Sequence, residues 1–331
     1  MSHTAYIRSV GRFLPERRLT NQDLEKMVDT TDEWILSRTG IRERRILEPG
    51  LGNSHMAIRA ARDCLERAGV DAAEVDAIIV GTVTPDMFFP STACLVQKGI
   101  GASKAWGFDL SAGCSAFVFS LTTAAQLVEA GRYQKVLAIG SDVMSSILDY
   151  EDRNTCVLFG DGAGAVLVEA CPEPGFGILD FIQRIDGIGE EHLHMKAGGS
   201  RKPSSLETVQ RKEHYVYQEG RQVFKYAVTE MAEVSARVLE RNGLTGDDVK
   251  LFIPHQANLR IIDACAKRMG LNPEKVVINI DRYANTTAGT IPLCLYDALV
   301  ERKQLENGDI LIISAFGAGF TWGSILVRWW E

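Results

Sequence analysis

Apolar residues in this chain gather into short runs separated by amphipathic stretches, and the runs follow one order twice. In the first set, "DAIIVGT" (76–82) predicts a buried strand and "STACLVQKGI" a helix. "AWGFDL" predicts a strand, residues 114–130 a helix, and "KVLAIGSD" and "GAGAVLVEA" two more strands. In the second set, "VKLFIPH" (249–255) predicts a strand, "NLRIIDACAKRMG" a helix and "KVVINI" a strand; a helix from about Ala288 to Lys303 comes next, and then the strands "DILIISAF" and "TWGSILVRW". Ala77 and Val136 stand 59 residues apart, and so do Leu251 and Ile310. Apolar runs that do not alternate are buried on both faces. The expected fold is therefore α/β, with two duplicated halves, residues 1–172 and 173–331, built on mostly parallel sheets covered by helices.

One stretch stands apart: from Leu110 to Val128 the chain carries no charge. Its length admits a membrane span, but Ser111, Ser115, Ser120, Thr122, Thr123 and Gln126 make it too polar for lipid, so a helix buried inside protein is expected and membrane insertion is not. The N-terminal stretch breaks its apolar residues with arginines and lacks the hydrophobic region of a signal peptide. At 331 residues and 46% hydrophobic content the chain can bury a large core. A net charge of -7 argues against general nucleic-acid binding and requires that any acidic partner meet a local basic patch. The seven cysteines are widely spaced with no C-x-x-C pair, which fits free thiols in a reducing cytoplasm. Residues 172–222, rich in Gly, Pro, Lys and Arg, read either as a surface excursion at a substrate entrance or subunit contact, or as a variable linker.

In parallel α/β structures ligands gather beyond the carboxyl ends of strands. Three reactive residues succeed predicted strands: Cys114 after "GFDL", His255 after "LFIP" and Asn285 after "INIDRY". Cys114 and Asn285 occupy matching places in the two halves. A thiol in the first turn of a helix feels the positive end of the dipole, which lowers its pKa, and a nearby histidine makes it a strong nucleophile. The competing readings are a small core cysteine and a hydrogen-bonded structural histidine. Asn258 is placed to cap the next helix, along which Arg260, Ala264 and Lys267 share a face, either a solvated surface or a dock for an acidic partner. "GDGAG" (160–164) precedes a strand, not a phosphate-binding helix, which argues against a nucleotide loop; "FGAGFTWGS" reads as a tight turn that brings backbone to the site.

At these residues the chain resembles the β-ketoacyl-[acyl-carrier-protein] synthase III family, through "TNQDLEKMVDTTDEWILSRTGIRERR", "DLSAGCSAF", "LFGDGAGAVLV", "IPHQANLRII", "YANTTAGTIP" and "AFGAGFTWGS". The resemblance implies a thiolase-like fold, a five-layer αβαβα sandwich, in a cytoplasmic homodimer. It implies that Cys114 takes an acyl group from acyl-CoA, that malonyl-acyl carrier protein then loses CO2 and attacks the thioester, and that His255 and Asn285 stabilise the enolate, with no cofactor and no metal. It places Trp34 and Arg153 at the adenine, Arg38 near the phosphates, Phe224 and Asn258 on the pantetheine channel, and Phe89 across the dimer at the acyl pocket. Arg260, Lys267 and Arg268 would meet the carrier protein, and the backbones of Cys114 and Ala318 would hold the oxyanion. The chain departs from the family pattern at Ala116, Arg221 and Ala318. Relatives on the scaffold include condensing enzymes and acyltransferases of secondary metabolism; a cysteine hydrolase and an inert carrier-binding scaffold are the rival classes.

Overall fold

The two sets of apolar runs form two separate sheets. The computed structural model describes residues 4–331, so the first three residues of the N-terminal stretch lie outside it. The first sheet holds β1 (Ala5–Phe13), β2 (Ala77–Gly81), β3 (Trp106–Leu110), β4 (Val136–Asp142) and β5 (Gly162–Ala170) in the order β1-β5-β4-β2-β3. The second holds β6 (Gly177–Ile185), β7 (Val249–Pro254), β8 (Ile310–Gly317) and β9 (Thr321–Arg328) in the order β7-β8-β9-β6.

The equal spacing in the sequence is the register of one strand pair made twice. Ala77 lies opposite Val136 in the parallel β2–β4 pair. In the parallel β7–β8 pair an irregularity between Val249 and Leu251 moves the match by one, so that Ile310 faces Val249 and Leu251 faces Leu311. Both sheets, however, are mixed rather than mostly parallel. β4–β5 and β5–β1 run antiparallel, as do β8–β9 and β9–β6. No crossover helix separates β4 from β5 or β8 from β9, and a direct return connection produces an antiparallel neighbour.

The expected strand "KVVINI" is a single parallel bridge between Val276 and Phe252, at the place where β3 borders β2 in the other half. Its backbone has other partners. Val277 N donates to Phe252 O, while the buried Gln256 carboxamide donates to Val277 O at 3.1 Å and accepts from Asn279 N and Ile280 N, each at 3.1 Å. A side chain thus completes what a ladder would have satisfied. The 172–222 region also differs from a surface linker: β6 is an integral strand of the second sheet, and residues 186–219 form the excursion that leads from it to the helix beginning at Gly220.

Helices cover the sheets in layers. α1 (Asp32–Thr39) lies at the rim, capped by Thr31 and ended by Gly40 in the left-handed region at φ 85. α2 (Asn53–Ala68) and α3 (Thr92–Ile100) cover the outer face of the first sheet. α4 (Ala116–Glu129) touches strands of both sheets, α5 (Gly220–Arg241) and α6 (Leu259–Met269) cover the second sheet, and α7 (Thr290–Tyr296) returns to the middle. The order is αβαβα. The uncharged run is explained by this position, because α4 meets a sheet on either side and Phe117, Val118 and Leu121 are wholly buried, each stabilising by about 1.5–3 kcal/mol. Its hydroxyls turn inward on the helix: Thr122 donates to Val118 O at 3.0 Å and Thr123 to Phe119 O at 2.7 Å. No helix among the described residues is long and apolar enough to cross a membrane.

Candidate active site

One cavity of about 560 Å³ runs inward from α1 and is lined by Cys114, His255 and Asn285 together. Cys114 and His255 come from the loops beyond two strands, and Asn285 comes after the short helix Ile280–Tyr283. Cys114 lies in a 3-10 turn, Gly113–Ser115, between β3 and α4. Gly113 has φ 55, and a Cβ on it would lie 2.5 Å from Ala318 N; one on Gly317 would lie 2.4 Å from Cys114 N. Glycine at both positions lets the β8–β9 turn press its backbone against the cysteine. Ser115 donates to Thr321 O at 2.9 Å and Thr321 donates to Ala112 O at 2.7 Å, clamping the two loops.

His255 comes directly after β7 and extends its pairing, with its backbone N donating to Ser314 O at 2.8 Å. Its Nδ1 lies 2.7 Å from Thr290 Oγ1, while Nε2 is buried and has no partner. Asn285 is pinned through its backbone by Leu158 O and Gly160 N, both at 3.0 Å. Thr287 N donates to its Oδ1 at 2.8 Å, so that oxygen is occupied and the amide N–H groups are the part free for other work. Non-glycine residues on either side of it, Ala284 at φ 57 and Thr287 at φ 51, occupy positive-φ backbone. That conformation costs energy and persists because the Thr287 hydroxyl is bound to the buried Asp142 carboxylate. Asn285 leads through the 3-10 turn Thr287–Gly289 into α7, as Cys114 leads into α4.

The electrostatics reverse one expectation. Burial first, and then the charge of Asp142, push the Cys114 thiol up to about 12, with Asn285 acting in the opposite direction. The helix proper starts at Ala116, beyond the thiol, and the chamber is too dry to favour a thiolate. Burial alone brings His255 down to about 3. The resting pair is therefore a neutral thiol and a neutral imidazole, and attack requires the proton to move as the bond forms.

This carries a prediction for stability. The folded value of His255, about 3, lies below its ordinary 6.5, so above pH 6.5 neither state is affected. As pH falls below 6.5 the unfolded chain gains a proton that the folded one refuses, which costs about 1.4 kcal/mol per pH unit down toward pH 3. Chemical denaturation between pH 4 and 7 is expected to show a shallower acid loss for His255→Gln than for the wild type. Equal slopes would contradict it.

The regions that build this chamber match known proteins. Residues 108–187 match the family described as 3-oxoacyl-[acyl-carrier-protein (ACP)] synthase III, and residues 239–329 match its C-terminal counterpart. The chain is 59% identical over 327 residues to the β-ketoacyl-[acyl-carrier-protein] synthase III of Solibacter usitatus, covering 98% of each chain. It is 56% identical over 326 residues to that of Koribacter versatilis, again with 98% of each covered. The chain belongs to the β-ketoacyl-[acyl-carrier-protein] synthase III family. The crystal structure of the 3-oxoacyl-[acyl-carrier-protein] synthase III of Aquifex aeolicus superposes with a TM-score of 0.90 at 43% identity, over 98% of this chain and 100% of that one, so the layered fold is that of the family's solved structures.

The residues that the synthase III resemblance singled out fall into two groups. Trp34, Arg38, Phe224 and Asn258 line the cavity, and so does Arg221, one of the departures. Asn258 also caps α6 through Arg260 N and donates to Arg38 O at 2.9 Å, tying α6 to α1. Arg260 lies over the Phe224 ring at 4.6 Å, at the cavity wall. The others are placed differently. Arg153 is outside the lining, stacked directly on Trp34 at 5.1 Å and bound to Asp29 O at 2.7 Å, so a ring entering between them must first part them. Arg268 is paired with Glu233 at 3.0 Å and Glu240 at 3.5 Å, which leaves Arg260 and the exposed Lys267 as the cations of that face. Phe89 is 84% exposed and does not reach its own chain's cavity. The Ala116 methyl packs against Gly81 instead of the cavity. In "GDGAG", Asp161 accepts from Leu47 N and Ser145 N, and Gly164 lies where a Cβ would be 2.5 Å from Pro292, so these residues serve packing.

Sequence reasoning missed Thr290 and Asp142. Asp142 left a signal: an acid ending the fully buried strand "KVLAIGSD" must find donors beyond the strand's carboxyl edge.

Proposed function

We propose that this chain catalyses the decarboxylating condensation of an acyl-CoA with malonyl-acyl carrier protein, with Cys114 as nucleophile. The observation that carries the reading is the shared chamber: a thiol, an imidazole nitrogen without a partner and a carboxamide face one cavity whose mouth has an indole and a guanidinium. In the first half-reaction Sγ attacks the acyl thioester, and the N–H groups of Cys114 and Ala318 are the donors for the oxygen that develops charge. Coenzyme A leaves and the acyl group remains on Cys114. In the second, malonyl thioester enters and loses CO2, and its enolate oxygen takes hydrogen bonds from the Asn285 amide and from neutral His255 in the tautomer that carries its hydrogen on Nε2. The enolate carbon attacks the acyl-Cys114 thioester; the bond from the acyl carbon to Sγ breaks, the sulfur leaves with the electron pair and takes a proton from solvent, and the β-ketoacyl product is released.

Trp34, Arg38, Arg153, Phe224 and Asn258 would hold coenzyme A and pantetheine. Arg260 and Lys267 give an acidic enzyme a local cationic face beside the mouth for an acidic carrier protein. A homodimer in the cytoplasm is the proposed state. It is supported by the edge strand β3, whose outer groups are unpaired in the sheet, and by the exposure of Trp106 (41%), Phe88 (81%) and Phe89 (84%). The experiment is intact-mass measurement after incubation with a mixture of acetyl-, branched and longer acyl-CoAs. One acyl group is expected on Cys114, discharged on adding malonyl-acyl carrier protein. Failure of every acyl-CoA to label Cys114 overturns the reading, and discharge to free acid without malonyl thioester would indicate a hydrolase.

A further inference from the structure

We infer that the buried Gln256 carboxamide sets the distance between the two enolate donors, His255 and Asn285, and so acts as a positioning residue for decarboxylation. The inference rests on the function proposed above. Gln256 is wholly buried and lies outside the cavity lining, while its neighbours His255 and Ala257 belong to that lining. Its amide nitrogen donates to Pro254 O at 2.9 Å and to Val277 O at 3.1 Å, and its oxygen accepts from Asn279 N and Ile280 N, each at 3.1 Å. A carboxamide has two N–H donors and an oxygen with two lone pairs, so every capacity is used. Carbonyl oxygens only accept and backbone N–H groups only donate, so these partners admit one orientation of the group.

The four partners belong to the two segments that carry the donors. Pro254 ends β7 and immediately precedes His255. Asn279 and Ile280 open the four-residue helix Ile280–Tyr283, whose N-cap side chain makes no capping bond. The first N–H groups of a helix have no partner within it, and here the Gln256 oxygen takes two of them. At the other end of the helix Ala284 N donates to Ile280 O at 2.9 Å, and Asn285 comes next. A shift of the helix start is therefore passed through one short turn to the Asn285 amide. Thr290 ties the same two segments on the far side of Asn285, 2.7 Å from the His255 ring, so the spacing of the donors is held from both directions. Two donors aimed at one oxygen tolerate little error, since a misplacement of about 1 Å costs on the order of 10²-fold in rate. Loading draws on other atoms. The Cys114 turn is clamped to the β8–β9 turn through Ser115 and Thr321, and neither has a bond to Gln256.

The test uses Gln256→Met, which keeps the bulk and removes all four bonds, beside Gln256→Asn, which keeps a carboxamide too short to reach both segments. Intact mass after acyl-CoA treatment counts the folded sites, and both half-reactions are expressed per loadable site, so the comparison holds where only part of a variant folds. In Gln256→Met, CO2 release at saturating malonyl thioester is expected to fall about 10–100-fold, while single-turnover loading at saturating acyl-CoA changes less than about 3-fold. Gln256→Asn should show the same split at about 10-fold, and it decides the matter if Gln256→Met yields no loadable sites. A merely structural glutamine would lower the number of sites and leave the ratio of the two rates as it is in the wild type. Unchanged CO2 release per site, or an equal fall in both half-reactions, overturns the inference. A wild type that no acyl-CoA loads overturns the parent reading instead.

Discussion

Replacing Cys114 with alanine is expected to abolish acyl loading and condensation while decarboxylation of a malonyl thioester continues. The two activities draw on different atoms around one cavity. Only Sγ can hold the first acyl group, and no other thiol lines the chamber; the remaining cysteines are Cys94, which is exposed, and Cys64, Cys156, Cys171, Cys265 and Cys294, which are buried elsewhere. The enolate, by contrast, is stabilised by donors from the second half of the chain, whose positions do not depend on sulfur: Asn285 is held by Leu158, Gly160 and Thr287, and His255 by Thr290 and Ser314. His255→Ala should show the complementary loss, with decarboxylation falling about 10²–10³-fold, as when one donor aimed at developing charge is removed from a dry site. The measurements are CO2 release from malonyl thioester and product formation for each variant. A condensation product from Cys114→Ala, or unchanged CO2 release from His255→Ala, would contradict this division.

How far the chain reveals itself depended on whether a pattern lay along the sequence or across it. The duplication was visible because both halves keep the same strand spacing, and the pairing of Ala77 with Val136 is that spacing realised. The charge-free run announced α4 because a helix between two sheets has no polar side to display. Cys114, His255 and Asn285 stood out because each comes after an apolar run. "KVVINI" deceived because its apolar residues face the core as a strand's would, while Gln256, more than twenty residues earlier, takes its backbone bonds. The thiol's direction was misjudged because local sequence shows the start of a helix and hides how dry the pocket is and that Asp142 stands close. Thr290 is an ordinary helix residue in one dimension; its value lies in an oxygen 2.7 Å from a ring 35 positions away.

Asp142→Ala is the second substitution expected to have a large effect, on both stability and activity. The carboxylate ends β4 and is fully buried. Its Oδ1 accepts from Thr82 Oγ1, Val83 N and Thr84 Oγ1, each at 2.8 Å, and from Thr84 N at 3.0 Å. Its Oδ2 accepts from the Thr287 hydroxyl and from Ala288 N at 3.4 Å. One anion thus fastens the end of β2 to the loop that carries Asn285. Burial raises its pKa, and the hydrogen bonds from Thr287, Val83, Thr84 and Thr82 oppose the rise. Alanine leaves those donors buried and unpaired, which costs about 3–5 kcal/mol, or roughly 5 °C in Tm for a chain of this length. It also releases Thr287 from its positive φ, and with it the Oδ1 contact that orients the Asn285 amide, so decarboxylation should fall by more than the loss of stability explains. Asp142→Asn separates the two contributions: it keeps most of the shape while removing the charge that helps to hold the Cys114 thiol protonated, so the thiol should ionise at lower pH than in the wild type. Thermal unfolding, CO2 release and the pH dependence of Cys114 alkylation measure the three effects. An Asp142→Ala protein with unaltered Tm and CO2 release would show that the Asn285 loop holds its shape without this anchor.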